Sequence, residues 1–175
     1  LVRIGVTPDA IDPAHIDESP TKAERPADHA RRLADEKAAI VAARHPDAIV
    51  LAADTVVAAG QRILPKAETE ADARECLALL SGRRHKVLSA VALIEPTGRI
   101  RRRLSTSTVA FCLLDVAEIE RYVATGEWHG KAGGYAIQGR AEAWVRRLDG
   151  SHSGVMGLPL FETRALLRAA GFPLG

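Results

Sequence analysis

The sequence predicts an α/β fold in which helices flank a mixed β-sheet. Three observations carry this. Residues 48–53 (Ala-Ile-Val-Leu-Ala-Ala) form an unbroken apolar run, the pattern of a strand covered on both faces. Segments with a 3.6-residue apolar period and helix-end signals alternate with such runs. Two strand-like segments, 86–94 and 99–113, are separated only by the turn residues Glu95-Pro96-Thr97-Gly98, so the sheet includes an antiparallel hairpin.

Residues 1–4 read as a short strand, followed by a Pro- and Asp-rich loop that holds Asp12, Asp17 and Glu18. Pro26 suits a first helical turn, and 27–44 reads as a helix with Ala30, Leu33, Ala34, Ala38, Val41 and Ala42 on its apolar stripe and Lys37 off its centre. The buried strand is expected over 48–57. Asp54 follows its apolar run directly, where a strand should end. Gly60 turns a hairpin into Ile63 and Leu64. A helix over 68–80 has acidic residues in its first turn and Gly82 past its end. After the hairpin, Asp115 caps a helix that runs to Thr125 and stops at Gly126. A glycine-rich segment over 130–139, a strand over 143–148 and a helix over 158–170 complete the chain. No repeat or linker divides it, so 1–175 is read as one domain.

Composition excludes several classes. The 24 Lys and Arg balance 22 Asp and Glu, for a net charge of +2, too even for non-specific binding to nucleic acid or membrane. Arg101-Arg102-Arg103 therefore reads as an exposed face or sheet edge. No apolar run approaches the ~18 residues of a membrane span. The 2 cysteines, Cys76 and Cys112, form no CxxC pair and no zinc pattern, and read as free thiols of a reducing cytoplasm.

Few polar residues interrupt apolar contexts: Glu18, Lys37, Asp54, Thr55, Lys66, Lys131 and Gln138. Ionised Asp54 beside an apolar run costs several kcal/mol unless it is paired or binds metal. Two carboxylates with several lysines suit a triphosphate held by Mg²⁺ or Mn²⁺ and by ammonium groups. An Asp beside such a metal can take a proton from attacking water. The plainer readings are a strand-end cap for Asp54, a loop cap for Glu18 and solvated charges for the lysines. Residues 130–139 (Gly-Lys-Ala-Gly-Gly-Tyr-Ala-Ile-Gln-Gly) match neither a P-loop nor a dinucleotide fingerprint. A buried Gln138 would need partners for its amide, either a nucleobase edge or backbone. Ser151, His152 and Ser153 lack any nucleophile-elbow context.

Several of these segments together resemble the Maf family of nucleoside triphosphate pyrophosphatases, once described as septum-formation proteins. The matching residues are Ile16-Asp17-Glu18, residues 33–38 (Leu-Ala-Asp-Glu-Lys-Ala), Ala53-Asp54-Thr55-Val56-Val57, Lys66, Leu80-Ser81-Gly82 with His85, residues 131–139 and Gly157-Leu158-Pro159-Leu160. They stand in family order across nearly the whole chain. The resemblance implies a two-lobed fold around a nucleotide cleft, shared with inosine triphosphatase-like proteins. It also implies hydrolysis of a nucleoside triphosphate to the monophosphate and pyrophosphate with a divalent metal. Asp54 matches the catalytic proton acceptor, and Glu18, Lys37 and Lys66 match polar active-site residues, with Glu18 and Asp54 as the metal carboxylates. Thr55 and Gln138 match positions that tune base choice, and Lys131 is expected to bind substrate. The Ile-Gln-Gly form resembles the dTTP/UTP branch. The branch acting on 7-methyl-GTP typically has Ser-Glu-Gly there.

Three departures qualify the match. The family opens with a Ser-x-Ser-Pro-Arg-Arg phosphate loop. Leu1 to Val6 matches the segment after that loop, so the loop is expected upstream of residue 1. Pro65-Lys66 replaces the usual Lys-Pro, and His152 stands where Tyr is common. Two alternatives remain: the same reaction on 7-methyl-GTP or another non-canonical triphosphate, and a nucleotide-binding regulator of septum formation that does not hydrolyse. A homodimer is compatible with the resemblance.

Overall fold

A computed structural model describes residues 1–174. Residues 1–4 are not a strand. Val2–Ile4 form one 3₁₀ turn, and Gly5 at φ 73° donates its N–H to the Val2 carbonyl, so the chain curls back instead of extending. From Gly5 to Arg25 the chain is loop. Helix α1, Pro26–Arg44, begins with Pro in its first turn and buries Ala30, Leu33, Ala34 and Ala38 as the stripe predicts.

Strand β1, Val50–Ala59, turns at Gly60 (φ 63°) into β2, Arg62–Leu64. The short β3, Lys66–Ala67, precedes α2, Glu70–Leu80, which starts with a capping box between Thr69 and Asp72. Strands β4, Arg84–Ile94, and β5, Ile100–Phe111, form the expected hairpin, with the Gly98 N–H bonded to the Glu95 carbonyl in its turn. Asp115 caps α3, Val116–Val123, through a second capping box with Glu118. Strand β6, Lys131–Ala132, pairs with β3.

The strand expected over 143–148 begins later, as β7, Val145–Asp149, because Arg140–Trp144 wind into a 3₁₀ helix first. A short helix not anticipated from the sequence, α4 (His152–Val155), is capped by the Ser151 hydroxyl on the Gly154 N–H. Helix α5, Leu160–Ala169, ends the described fold and is entered from Pro159.

The main sheet has strand order β2-β1-β4-β5-β7, and every pairing in it is antiparallel. Strand β7 meets only Thr108 to Phe111 of β5, so Arg101, Arg102 and Arg103, paired with β4 on one side, leave the other side of that strand as an open sheet edge, as expected.

Alternation along β1 and β4 sends Val56, Ala58, Leu88, Ala90 and Ala92 toward α1. On the opposite face, Val91 and Leu93 pack on Leu166 and Leu167 of α5. Further along that face Val57, Val87, Val109 and Phe111 pack on α2, α3, Trp128 and Tyr135. Each fully buried Leu or Phe contributes roughly 1.5–3 kcal/mol, against about 1 kcal/mol for a helix cap. Packing of Leu77, Leu80 and Phe111 therefore decides where α2 and α3 sit, and the caps decide where they start.

Candidate active site

Asp54 lies in the middle of β1, not at a strand end. The ladder continues past it, from Asp54 opposite Ala90 to Ala58 opposite Lys86. The rule that ligands gather at the carboxyl ends of parallel strands does not locate it, because this sheet is antiparallel. A carboxylate is tolerated there because α1 supplies its partner: Lys37 Nζ donates to Asp54 Oδ1 at 2.6 Å. Asp54 shares the α1 face with Val56, and Thr55 points to the other face.

The same Lys37 Nζ reaches Glu18 Oε1 at 2.5 Å. Lys66, at the start of β3, holds the other oxygen of Glu18. Four residues expected to act together are thus joined through ion pairs, although they come from a loop, a helix and two strands.

Their surroundings split their protonation. Burial pushes the Asp54 carboxyl above its ordinary range, and the Lys37 hydrogen bond only partly offsets this. For Glu18, burial also pushes upward, but hydrogen bonds to Lys37 and Lys66 outweigh it and leave the carboxyl below its ordinary range. Burial pulls Lys37 down, yet its bonds to Asp54 and Glu18 prevail and hold the ammonium above its usual range. The arrangement is a charged lysine between one firmly ionised carboxylate and one that binds protons more readily.

These groups open onto a cleft of about 290 Å³ lined by Lys37, Asp54, Thr55, Lys66, Lys131 and Gln138, between β1 and the small β3–β6 sheet. A second cavity of about 360 Å³ shares Asp54, Thr55 and Lys66 with it and adds Glu18, His29 and Leu33. A larger, mostly apolar cavity of about 580 Å³, between the N-terminal segment and α5, shares no residue with either.

The Thr55 hydroxyl contacts Ser89 Oγ at 2.8 Å and donates to the Gly157 carbonyl at 3.3 Å, which ties the 154–157 segment to the cleft wall. Ser89 adds a bond to the Gly154 carbonyl at 2.6 Å. Lys131 is exposed and lines the cleft, standing opposite Ala67 in the β3–β6 pairing.

Gln138 is exposed, not buried. Gly133 and Gly134, both at φ 70°, tuck Tyr135, Ala136 and Ile137 into the core, and the Gly139 N–H closes a turn on the Ala136 carbonyl at 3.0 Å. Gln138 falls at the tip of that turn and lines the cleft.

Sequence reasoning passed over two arrangements. His85 Nε2 lies 2.8 Å from the Tyr135 hydroxyl beneath the cleft. Glu24, His29, Arg32 and Glu36 form a polar network at the start of α1. Its helical members recur at i, i+3 and i+7, a spacing that marks one helix face and was open to reading.

The donor set fits a hard divalent cation. Glu18 and Asp54 each touch Lys37 Nζ, so their oxygens lie no further apart than the sum of those two distances. Among the described residues no group of three His, Cys, Asp or Glu side chains is placed to hold a metal. A cation with two carboxylate ligands and further oxygens from a phosphate substrate is the arrangement Mg²⁺ favours.

Comparison with known proteins identifies the family of the chain and several relatives. A family model described as "Maf-like protein" matches residues 1–170. The chain is 63% identical over 171 residues to a protein of Novosphingobium aromaticivorans named dTTP/UTP pyrophosphatase, covering 98% of this chain and 85% of that one. A protein of the same name from Paramagnetospirillum magneticum is 60% identical over 172 residues, covering 98% and 90%. Another, from Rhodospirillum rubrum, is 59% identical over 175 residues, covering 100% and 83%.

Proposed function

This chain belongs to the Maf family, and on that premise we propose that it hydrolyses dTTP and UTP to the monophosphate and pyrophosphate. The observation that carries the reading is the Glu18–Lys37–Asp54 bridge opening onto a cleft lined with further lysines. The names of relatives at 59–63% identity supply the base class.

Asp54 is the proton acceptor for water attacking the α-phosphorus. Its raised affinity for protons makes it a stronger base than an exposed carboxylate. Lys37, Lys66 and Lys131 neutralise charge on the phosphates, which matters most inside a partly enclosed site. Glu18 and Asp54 would hold a Mg²⁺ or Mn²⁺ ion, which when bound polarises phosphoryl oxygens and screens the leaving pyrophosphate. Thr55, locked to Gly157, sets the wall beside the base. Gln138 offers an amide donor and acceptor to a pyrimidine edge.

Among the described residues no helix is long and apolar enough to cross a membrane. Free Cys76 and Cys112 support a reducing compartment, the cytoplasm. No observation favours a non-hydrolysing regulator over the enzyme.

The test is pyrophosphate release from a panel of canonical and modified triphosphates with Mg²⁺ or Mn²⁺, using protein with its native N-terminus. Release from dTTP and UTP is expected, and Asp54→Asn should abolish it. The variant should melt no lower than wild type, because it removes a buried charge that costs stability while Lys37 keeps Glu18. Turnover retained in Asp54→Asn would remove the proton-acceptor role. A preference for 7-methyl-GTP would move the chain to the other branch.

A further inference from the structure

Glu18 sits on a loop with no helix or strand from Gly5 to Arg25, yet its carboxylate is held between two lysines. The restraint comes from α1. Arg32 grips Glu24 with Nε on Oε1 at 2.7 Å and Nη2 on Oε2 at 3.0 Å. The same Nη2 donates to the Ser19 carbonyl at 3.1 Å, and Nη1 reaches Glu36 at 3.3 Å. Glu24 also accepts the Thr21 N–H at 2.9 Å and meets His29 Nδ1 at 2.8 Å, with only 8% of its side chain exposed. The Ser19 N–H is held in turn by Asp17 Oδ1 at 2.9 Å. Glu18 therefore lies between two residues whose backbone or side chain is pinned. Neither Arg32 nor Glu24 lines the cleft.

We propose that Arg32 and Glu24 are positioning residues that hold Glu18 against Lys37 and Lys66 by clamping the backbone immediately after it, an inference that rests on the role given to Glu18 above. Arginine is required because one planar fork serves Glu24, Ser19 and Glu36 together, which a lysine ammonium cannot span.

The test is kcat and KM for Arg32→Lys, Glu18→Gln and the double variant, with thermal melting to verify folding. Arg32→Lys should lower kcat by about tenfold or more with a smaller change in KM, since only alignment is lost. In the Glu18→Gln background the same change should cost nothing further. Backbone nitrogen-15 relaxation should show the Glu18 and Ser19 amides rigid in wild type and more mobile in Arg32→Lys, since the Ser19 carbonyl loses its guanidinium partner. If Arg32→Lys does not fold, Glu24→Gln removes the charge at constant shape and takes its place. Additive losses in the double variant, or unchanged relaxation at Glu18 and Ser19, would overturn the clamp and leave the role of Glu18 intact. Full activity in Glu18→Gln would instead overturn that role, and the proposal with it.

Discussion

His85 is 2% exposed, and its ring packs edge-on against Phe111 and Tyr135. Burial pushes the imidazole down to about 4. Unfolded, it would titrate near 6.5. The fold therefore keeps its full benefit from neutral His85 above about pH 6.5 and loses it as pH falls toward 4, by roughly 3 kcal/mol in all. Urea titrations between pH 4 and 7 should show this slope in wild type and a shallower one in His85→Gln; parallel curves would mean His85 does not set acid stability. At this same scale Asp54 was legible in the sequence, because an ionisable group in an aliphatic strand demands a partner. Its mid-strand position was not, since an apolar run marks where a strand lies but not where its ladder ends. Gln138 was misplaced for a related reason: its apolar neighbours point inward, and only the turn closed by Gly139 shows that it points out.

Among the elements, the glycine-rich turn has the tightest tolerance. A Cβ on Gly133 would stand 2.8 Å from Val57 Cγ1, and the residue sits at φ 70°. Gly126 has a similar φ, 73°, but nothing within 4 Å. Both Ala substitutions carry a backbone penalty of roughly 1–2 kcal/mol. Gly133→Ala should lose more than Gly126→Ala in urea denaturation, and it alone should raise KM. The Gly133 N–H bonds the Pro65 carbonyl, so the β3–β6 pair that carries Lys66 and Lys131 would shift. Equal KM values in the two variants would separate this turn from substrate binding. Helix starts at Pro26 and Asp115 and the hairpin at Glu95–Gly98 were readable because local rules control them. The opening 3₁₀ turn and α4 were not, because segments of three or four residues leave no periodicity to detect.

In the whole molecule, the cleft lies where α1, β1, the β3–β6 pair and the 154–157 segment meet. Bound triphosphate would tie these parts together. With Asp54→Asn protein, so that substrate persists, a triphosphate with Mg²⁺ at about 100 times its Kd should add roughly 2.7 kcal/mol, a rise in melting temperature of about 5–10 °C. dTTP and UTP should produce it and purine triphosphates should not; equal shifts for all bases would show that the cleft reads only phosphates. The residues of chemical interest, their segments and the helix-on-sheet class were determined by the sequence alone, because burying a charge and capping a helix are local demands that composition and spacing record. Only the tertiary structure decided that one ammonium, Lys37, stands between Asp54 and Glu18, and that Arg32 steadies the loop behind them. Asp54 lies 17 positions along the chain from Lys37 and Glu18 lies 19, and what brings them together is the packing of α1 on β1, a contact no spacing along the chain encodes.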